Sequence, residues 1–166
     1  MLAVSNTSPL RYLITTGCVD ILPHLYIEVL VPPGVVRELS NDSAPTPVRD
    51  WIGRPPMWLQ TCQLKRDPDS ELVAALDLGE REAIQLATER NVDVLIMDEL
   101  KGRAMAQRRG LPLVGAVGVL GEAYRKRVID NPLDILDRMR QHGFRIGDRF
   151  VAEFRDLLLT RYRRRS

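Results

Sequence analysis

Short apolar runs, each closed by an acidic or amide side chain, limit the folds open to this chain. Leu2-Ala3-Val4-Ser5 ends at Asn6, and Val94-Leu95-Ile96-Met97 ends at Asp98-Glu99. Runs this short and continuous, β-branched at Val94 and Ile96, read as strands buried on both faces of a parallel sheet. Helical patterns separate them, and alternating strands and helices build an α/β domain. Open α/β sheets bind their ligands outside the carboxyl ends of the strands. Asn6, Asp98 and Glu99 fall at such ends.

The rest of the chain fits that frame. Leu2 to Ser5 is the first strand. Ser8 reads as the N-cap of the next helix, with Pro9 at its first position, where a missing N–H costs nothing. Gly17 stops this helix, and Val19 to Leu25 is a short helix broken at Pro23. Glu28-Val29-Leu30-Val31 is a second strand ended by Pro32-Pro33, and Gly34 to Ser40 is a helix carrying Glu38. Asn41 to Pro56 is a loop rich in Asn, Asp, Ser and Pro around a Val48–Ile52 turn. Trp58 to Leu64 reads as an edge strand, and Ser70 to Leu76 as a short helix. Gly79 to Arg90 is an amphipathic helix whose Ala83, Ile84 and Ala87 share a face with Leu76. Asp93 to Met97 is a buried strand, Glu99 to Arg109 a helix closed by Gly110, and Leu111 to Gly115 a last strand. Helices follow over Ala116–Arg127, Pro132–Gln141 and Asp148 to about Tyr162. The expected architecture is a three-layer α/β/α sandwich around a mostly parallel sheet of four or five strands. Residues 1–128 would form the main domain and 129–166 a helical extension packed on it.

Composition narrows the function classes. At 166 residues the chain has the length of one domain with a sizeable core. No stretch approaches the ~20 apolar residues that span a bilayer. No basic segment followed by an apolar one opens the chain, so no secretory signal is expected and a cytoplasmic protein is the default. Cys18 and Cys62 are too few and too isolated for a disulfide framework or a zinc site. His24 and His142 stand alone. Trp51 and Trp58 flank a Pro-rich segment and are expected to pack rather than stack on bases. The net charge of +2 is unevenly spread. Acids gather in the candidate site, while bases cluster at Lys101/Arg103/Arg108/Arg109, at Arg125-Lys126-Arg127 and at Arg161/Arg163/Arg164/Arg165, where a polyanion could be held. Solvated helix faces and a frayed tail are the plainer account of those bases.

The site residues point to a hard cation. Oxygen donors without His or Cys suit Mg²⁺ or Mn²⁺, and one or two such ions supply the nucleophile and the leaving-group stabilisation that phosphodiester cleavage needs. Glu80 begins the helix leading into the strand that ends at Asp98, so an antiparallel run returns it to the same sheet edge. Singly, each has a structural reading: Glu80 and Glu82 suit the helix dipole, and Asp98-Glu99 could cap a helix. Their joint occurrence with Asn6 and Glu38 carries the inference.

In that order, Ser5-Asn6-Thr7-Ser8-Pro9-Leu10, Val31-Pro32-Pro33 with Val36-Arg37-Glu38-Leu39, Leu76-Asp77-Leu78-Gly79-Glu80-Arg81-Glu82-Ala83-Ile84, Leu95-Ile96-Met97-Asp98-Glu99, and Val114-Gly115 with Gly118-Val119-Leu120 resemble PIN-domain proteins. The similarity is to the nucleic-acid-binding subgroup called domain of unknown function 3368, related to VapC-like toxin ribonucleases, and it extends to Gly143-Phe144-Arg145-Ile146. The resemblance implies a Mg²⁺- or Mn²⁺-dependent ribonuclease in which Asn6, Glu38, Glu80 and Asp98 match the four acidic positions. Glu99 matches an auxiliary acid, and Thr7 and Ser8 the hydroxyl-bearing turn, where Ser8 caps the helix or touches a ligand. Lys101 and Arg103, a turn beyond Asp98, are candidates for the RNA backbone.

The departure is Asn6, where most PIN nucleases carry Asp. A neutral amide can coordinate through its oxygen but brings no charge, so metal affinity should fall. The resemblance also implies RNA, a small antitoxin protein and a homodimer as partners, with no membrane. Two further readings stay open: a non-catalytic nucleic-acid-binding module using the same groove, and a receiver-like phosphoryl domain. The latter wants an acidic pair after the first strand, where this chain has Asn6. Gly115, Gly118 and Gly121 do not have phosphate-loop or dinucleotide spacing.

Overall fold

The structure, a computed structural model, describes residues 1–160. Arg161, Arg163, Arg164, Arg165 and the expected helix end near Tyr162 lie outside the described residues. Five strands, β1 (Leu2–Ser5), β2 (Glu28–Val31), β3 (Leu59–Thr61), β4 (Val94–Ile96) and β5 (Leu113–Val114), form one sheet in the order β3-β2-β1-β4-β5. Every pairing is parallel, with Ala3 opposite both Val29 and Val94. Parallel sheets are covered on both faces, and alternate residues of each strand supply the two covers. Ala3, Val29, Val31, Val94 and Ile96 enter one buried cluster, whereas Val4, Leu30, Leu95 and Met97 enter the other.

Helices complete three layers. On the first face lie α1 (Thr7–Thr15), α2 (Leu22–Leu25), α3 (Pro33–Leu39), α4 (Thr46–Ile52), α8 (Ala116–Arg125), α9 (Pro132–Gln141) and α10 (Asp148–Thr160). On the second lie α5 (Ser70–Ala75), α6 (Leu78–Arg90) and α7 (Leu100–Arg108). Leu136 and Met139 of α9 and Phe154 and Leu158 of α10 share a cluster with Leu13 and Val119. Trp51 and Trp58 pack on this cluster with ring centroids 5.8 Å apart.

Several local expectations change: the expected Val48–Ile52 turn is the end of helix α4 (Thr46–Ile52), and the expected edge strand shortens to Leu59–Thr61. Helix α1 begins two residues earlier than the Ser8-Pro9 signal implies: Asn6 takes the N-cap position with extended backbone, its N–H donating to Ile96 O at 3.0 Å. Ser8 therefore sits inside the first turn and caps nothing. Pro9 is third in the helix, where its N–H would still lack an intrahelical acceptor. Pro23, expected to break a helix, is instead the second residue of α2, after a 3₁₀ turn at Val19–Ile21.

The strand order places a topological switch between β1 and β4. From β1 the chain moves outward to β2 and β3, then returns to lay β4 on the other side of β1. Crossovers diverge at such a point and leave a crevice at the carboxyl edge. Asn6 follows β1 there, and Asp98-Glu99 follow β4.

Candidate metal centre

Four of the expected ligands gather at that crevice. Asn6 is buried, 2% exposed, and its Nδ2 donates to Glu99 Oε2 at 2.9 Å. Glu99 occupies the N-cap position of α7 without capping it; its carboxylate turns back to the amide instead. Glu38, on the last turn of α3, accepts from the Thr7 hydroxyl and from the Gly79 N–H at 2.8 Å. One carboxylate thus ties α1, α3 and α6 together. Glu80, in the first turn of α6, accepts from the Asp77 N–H at 3.0 Å. Burial raises the Glu80 carboxyl above the ordinary glutamate range; the Asp77 N–H opposes this, and Glu99, Asp77 and Glu38 add to it. Asn6, Thr7, Ser8, Arg11, Glu38, Asp77, Glu80 and Glu99 line one cavity of about 170 Å³.

Asp98 goes elsewhere. Its Oδ1 accepts from the Ala116 N–H at 2.8 Å and so caps α8 rather than the helix that follows it in sequence. It lines a neighbouring cavity of about 600 Å³ with Arg103, Gly115 and Phe150. Burial pushes its carboxyl up to about 6; the Ala116 N–H and Arg103 pull the other way, while Glu99 adds to the rise. A side chain at Gly115 would put its Cβ 2.8 Å from Asp98 Oδ1, so the cap needs glycine there.

The donor chemistry fits a hard divalent cation. The donors are all oxygens, neighbouring carboxylates including Glu99 add to the raised proton affinity of Glu80, and Asn6 Oδ1 and Asp98 Oδ2 are buried without a hydrogen-bond partner among the described residues. As they stand, no three His, Cys, Asp or Glu side chains among the described residues converge closely enough to hold an ion. Each carboxylate takes a separate donor: Thr7 and Gly79, Asp77, Asn6 or Ala116.

Other expected residues divide. Ser8 lines the acidic cavity. Lys101 is exposed. Arg103 is half-buried and donates from Nη1 to Met97 O at 2.7 Å, bracing the end of β4. Arg108 and Arg109 pair with Glu71 and Asp69 of the α5 region, so the run from 101 to 109 is not one open basic patch. Glu82 accepts from the Gly34 N–H at 2.6 Å and serves α3. Arg11 escaped the sequence reading, although it lies one helical turn after Thr7 and Ser8 and lines the acidic cavity with them.

Gly79 is a sensitive point in this arrangement. Alanine is worth about 1 kcal/mol over glycine inside a helix. At Gly79, however, a Cβ would collide with Glu38 Oε2 and lie 2.7 Å from Thr7 Oγ1. We expect Gly79→Ala to lose about 1–3 kcal/mol through overpacking, a fall of several degrees in thermal unfolding; an unchanged or higher Tm would contradict the packing described.

No helix among the described residues is long and apolar enough to cross a membrane. The comparison with curated proteins yields no match. A family model for the PIN domain matches residues 2–159, and PIN domains are generally nucleases that bind nucleic acid and typically use divalent metal ions. With nearly its whole length matched and its acids at the switch point of a parallel sheet, this chain belongs to the PIN-domain family.

Proposed function

We propose that this protein is a metal-dependent endoribonuclease that hydrolyses RNA phosphodiester bonds as the toxin of a toxin–antitoxin pair. The observation that carries the reading is that Asn6, Glu38, Glu80 and Glu99 line one cavity, with Asp98 next to Glu99 in the chain. These five would hold the ion through their side-chain oxygens. Mg²⁺ or Mn²⁺ bound there would polarise a phosphoryl oxygen and acidify a water.

The chain's own groups have separate tasks. Glu80, whose proton affinity burial and neighbouring carboxylates raise, would take the proton of the attacking water. Arg11, exposed on the rim of the cavity, supplies a guanidinium for a phosphate oxygen. Ser8 lines the same wall, and Lys101 adds charge for the flanking backbone. Glu38 and Thr7 hold the first turns of α1 and α6 in register around the cavity. A small antitoxin covering the acidic cavity and a homodimer belong to the same proposal.

The test combines isothermal titration with cleavage of single-stranded RNA. Saturable Mn²⁺ or Mg²⁺ binding is expected, with cleavage that EDTA stops and Glu80→Gln lowers roughly 10²-fold or more. Equal cleavage by Glu80→Gln, or cleavage in EDTA, would refute the assignment.

A second reading has its own support. The Asn6–Glu99 hydrogen bond gives Glu99 a donor without an ion, where a pair of acids would repel each other and call for one. A non-catalytic RNA-binding module with a weakened metal site accounts for that bond, and it predicts RNA binding with no cleavage at any metal concentration.

A further inference from the structure

The 600 Å³ cavity that Asp98 lines has features the proposed chemistry leaves unused. Its walls come from the end of β5, the starts of α7 and α8, and the 143–147 connection between α9 and α10 with Phe150 just beyond it. Two large apolar side chains stand open on it: Leu100 is 84% exposed and Phe150 63%. Arg145, on the same connection, is exposed and has no ion-pair partner among the described residues, and Arg103 adds a second guanidinium. The connection is anchored, because Phe144 packs edge-on against Tyr12 with centroids 5.1 Å apart. Asp98 and Glu99 are consecutive, so this cavity and the acidic one meet across a single residue step.

We propose that this cavity receives one unpaired nucleobase of the RNA, its flat face on Phe150 and its flanking phosphate on Arg145. The proposal rests on the nuclease reading, since it takes the neighbouring phosphodiester to lie at the acidic cavity. A nucleotide presents what the lining complements: a π-face for an aromatic ring and an anion for a guanidinium. The volume lies within the usual range of small-ligand sites, about 300–1,000 Å³. Sequence-reading proteins take RNA bases unpaired and splayed onto aromatic side chains. An acidic peptide is the weaker candidate, because its carboxylate side chains bring no flat π-face to Phe150.

The test is fluorescence anisotropy in EDTA at low salt with a short single-stranded RNA, intact or carrying one abasic position moved along it. For the wild type, one abasic position is expected to weaken binding about tenfold, and Phe150→Ala to weaken binding of intact RNA about tenfold. Combined, the two changes should cause no further loss, since each removes the same contact. Arg145→Ala should shallow the dependence of log K on log salt by about 0.7. Phe150 is exposed, so its truncation should leave the thermal midpoint unchanged. Additive losses, or intact-RNA binding by Phe150→Ala equal to wild type, would overturn the base pocket and leave the cavity to a peptide partner. An absence of RNA binding by the wild type would overturn the nuclease reading along with it.

Discussion

Asp98→Asn is expected to abolish RNA cleavage and to make the protein more stable at neutral pH. The loss of cleavage follows from the proposed removal of a metal ligand, and the gain in stability from the burial of a carboxylate. Burial raises the Asp98 carboxyl from 3.8 to about 6, more than the Ala116 N–H and Arg103 offset. The folded protein therefore holds this proton more tightly than the unfolded chain. The contribution is fully present below about pH 4 and is lost as pH rises through about 6. The loss is on the order of 2–3 kcal/mol at pH 7. Asparagine keeps an oxygen for the Ala116 N–H and removes the charge. Urea unfolding in EDTA should give matching stabilities for variant and wild type near pH 4 and a more stable variant at pH 7. Parallel profiles would refute the buried-charge account. Greater stability with full cleavage would confine Asp98 to capping α8 and remove it from the metal site.

Asn6→Asp should make the fold depend on a cation. The Asn6 amide now donates to Glu99 Oε2 at 2.9 Å, deep at the switch point. A carboxylate in its place turns that hydrogen bond into a contact between like charges, worth on the order of 4 kcal/mol at an effective dielectric of about 20. Uptake of a proton or rotation of Glu99 will relieve part of it. In EDTA the thermal midpoint should still fall on the order of 5–10 °C. Millimolar Mn²⁺ should restore it, and the variant should bind the ion at least about tenfold more tightly than wild type, since coordination by two carboxylates replaces their repulsion. Equal midpoints in EDTA, with no response to Mn²⁺, would mean that residues 6 and 99 do not share a cation site. If the variant gains cleavage that the wild type lacks, Asn6 is what holds this protein to RNA binding alone.

Most of the fold is legible in the sequence because near-neighbour rules generate it. Continuous β-branched runs such as Val94-Leu95-Ile96 read as strands covered on both faces, and Gly79–Arg90 reads as a helix with one apolar stripe. The same rules misplace the start of α1. The N–H of Asn6 is captured by Ile96, a strand partner that no local pattern reveals. The positions of the acids are equally legible, since strand ends and helix starts are local features. Where each side chain points is not. Asp98 and Glu99 are adjacent and chemically alike, yet Glu99 turns to the Asn6 amide, 93 residues away, and Asp98 to the Ala116 N–H, 18 residues on. A carboxylate at a sheet edge takes whichever donor the tertiary structure brings within reach, and the strand order decides which donor that is. The sequence by itself determined a parallel α/β domain with oxygen ligands at its carboxyl edge. Only the tertiary structure decided which of them share a cavity, because that depends on hydrogen bonds between elements far apart in the chain.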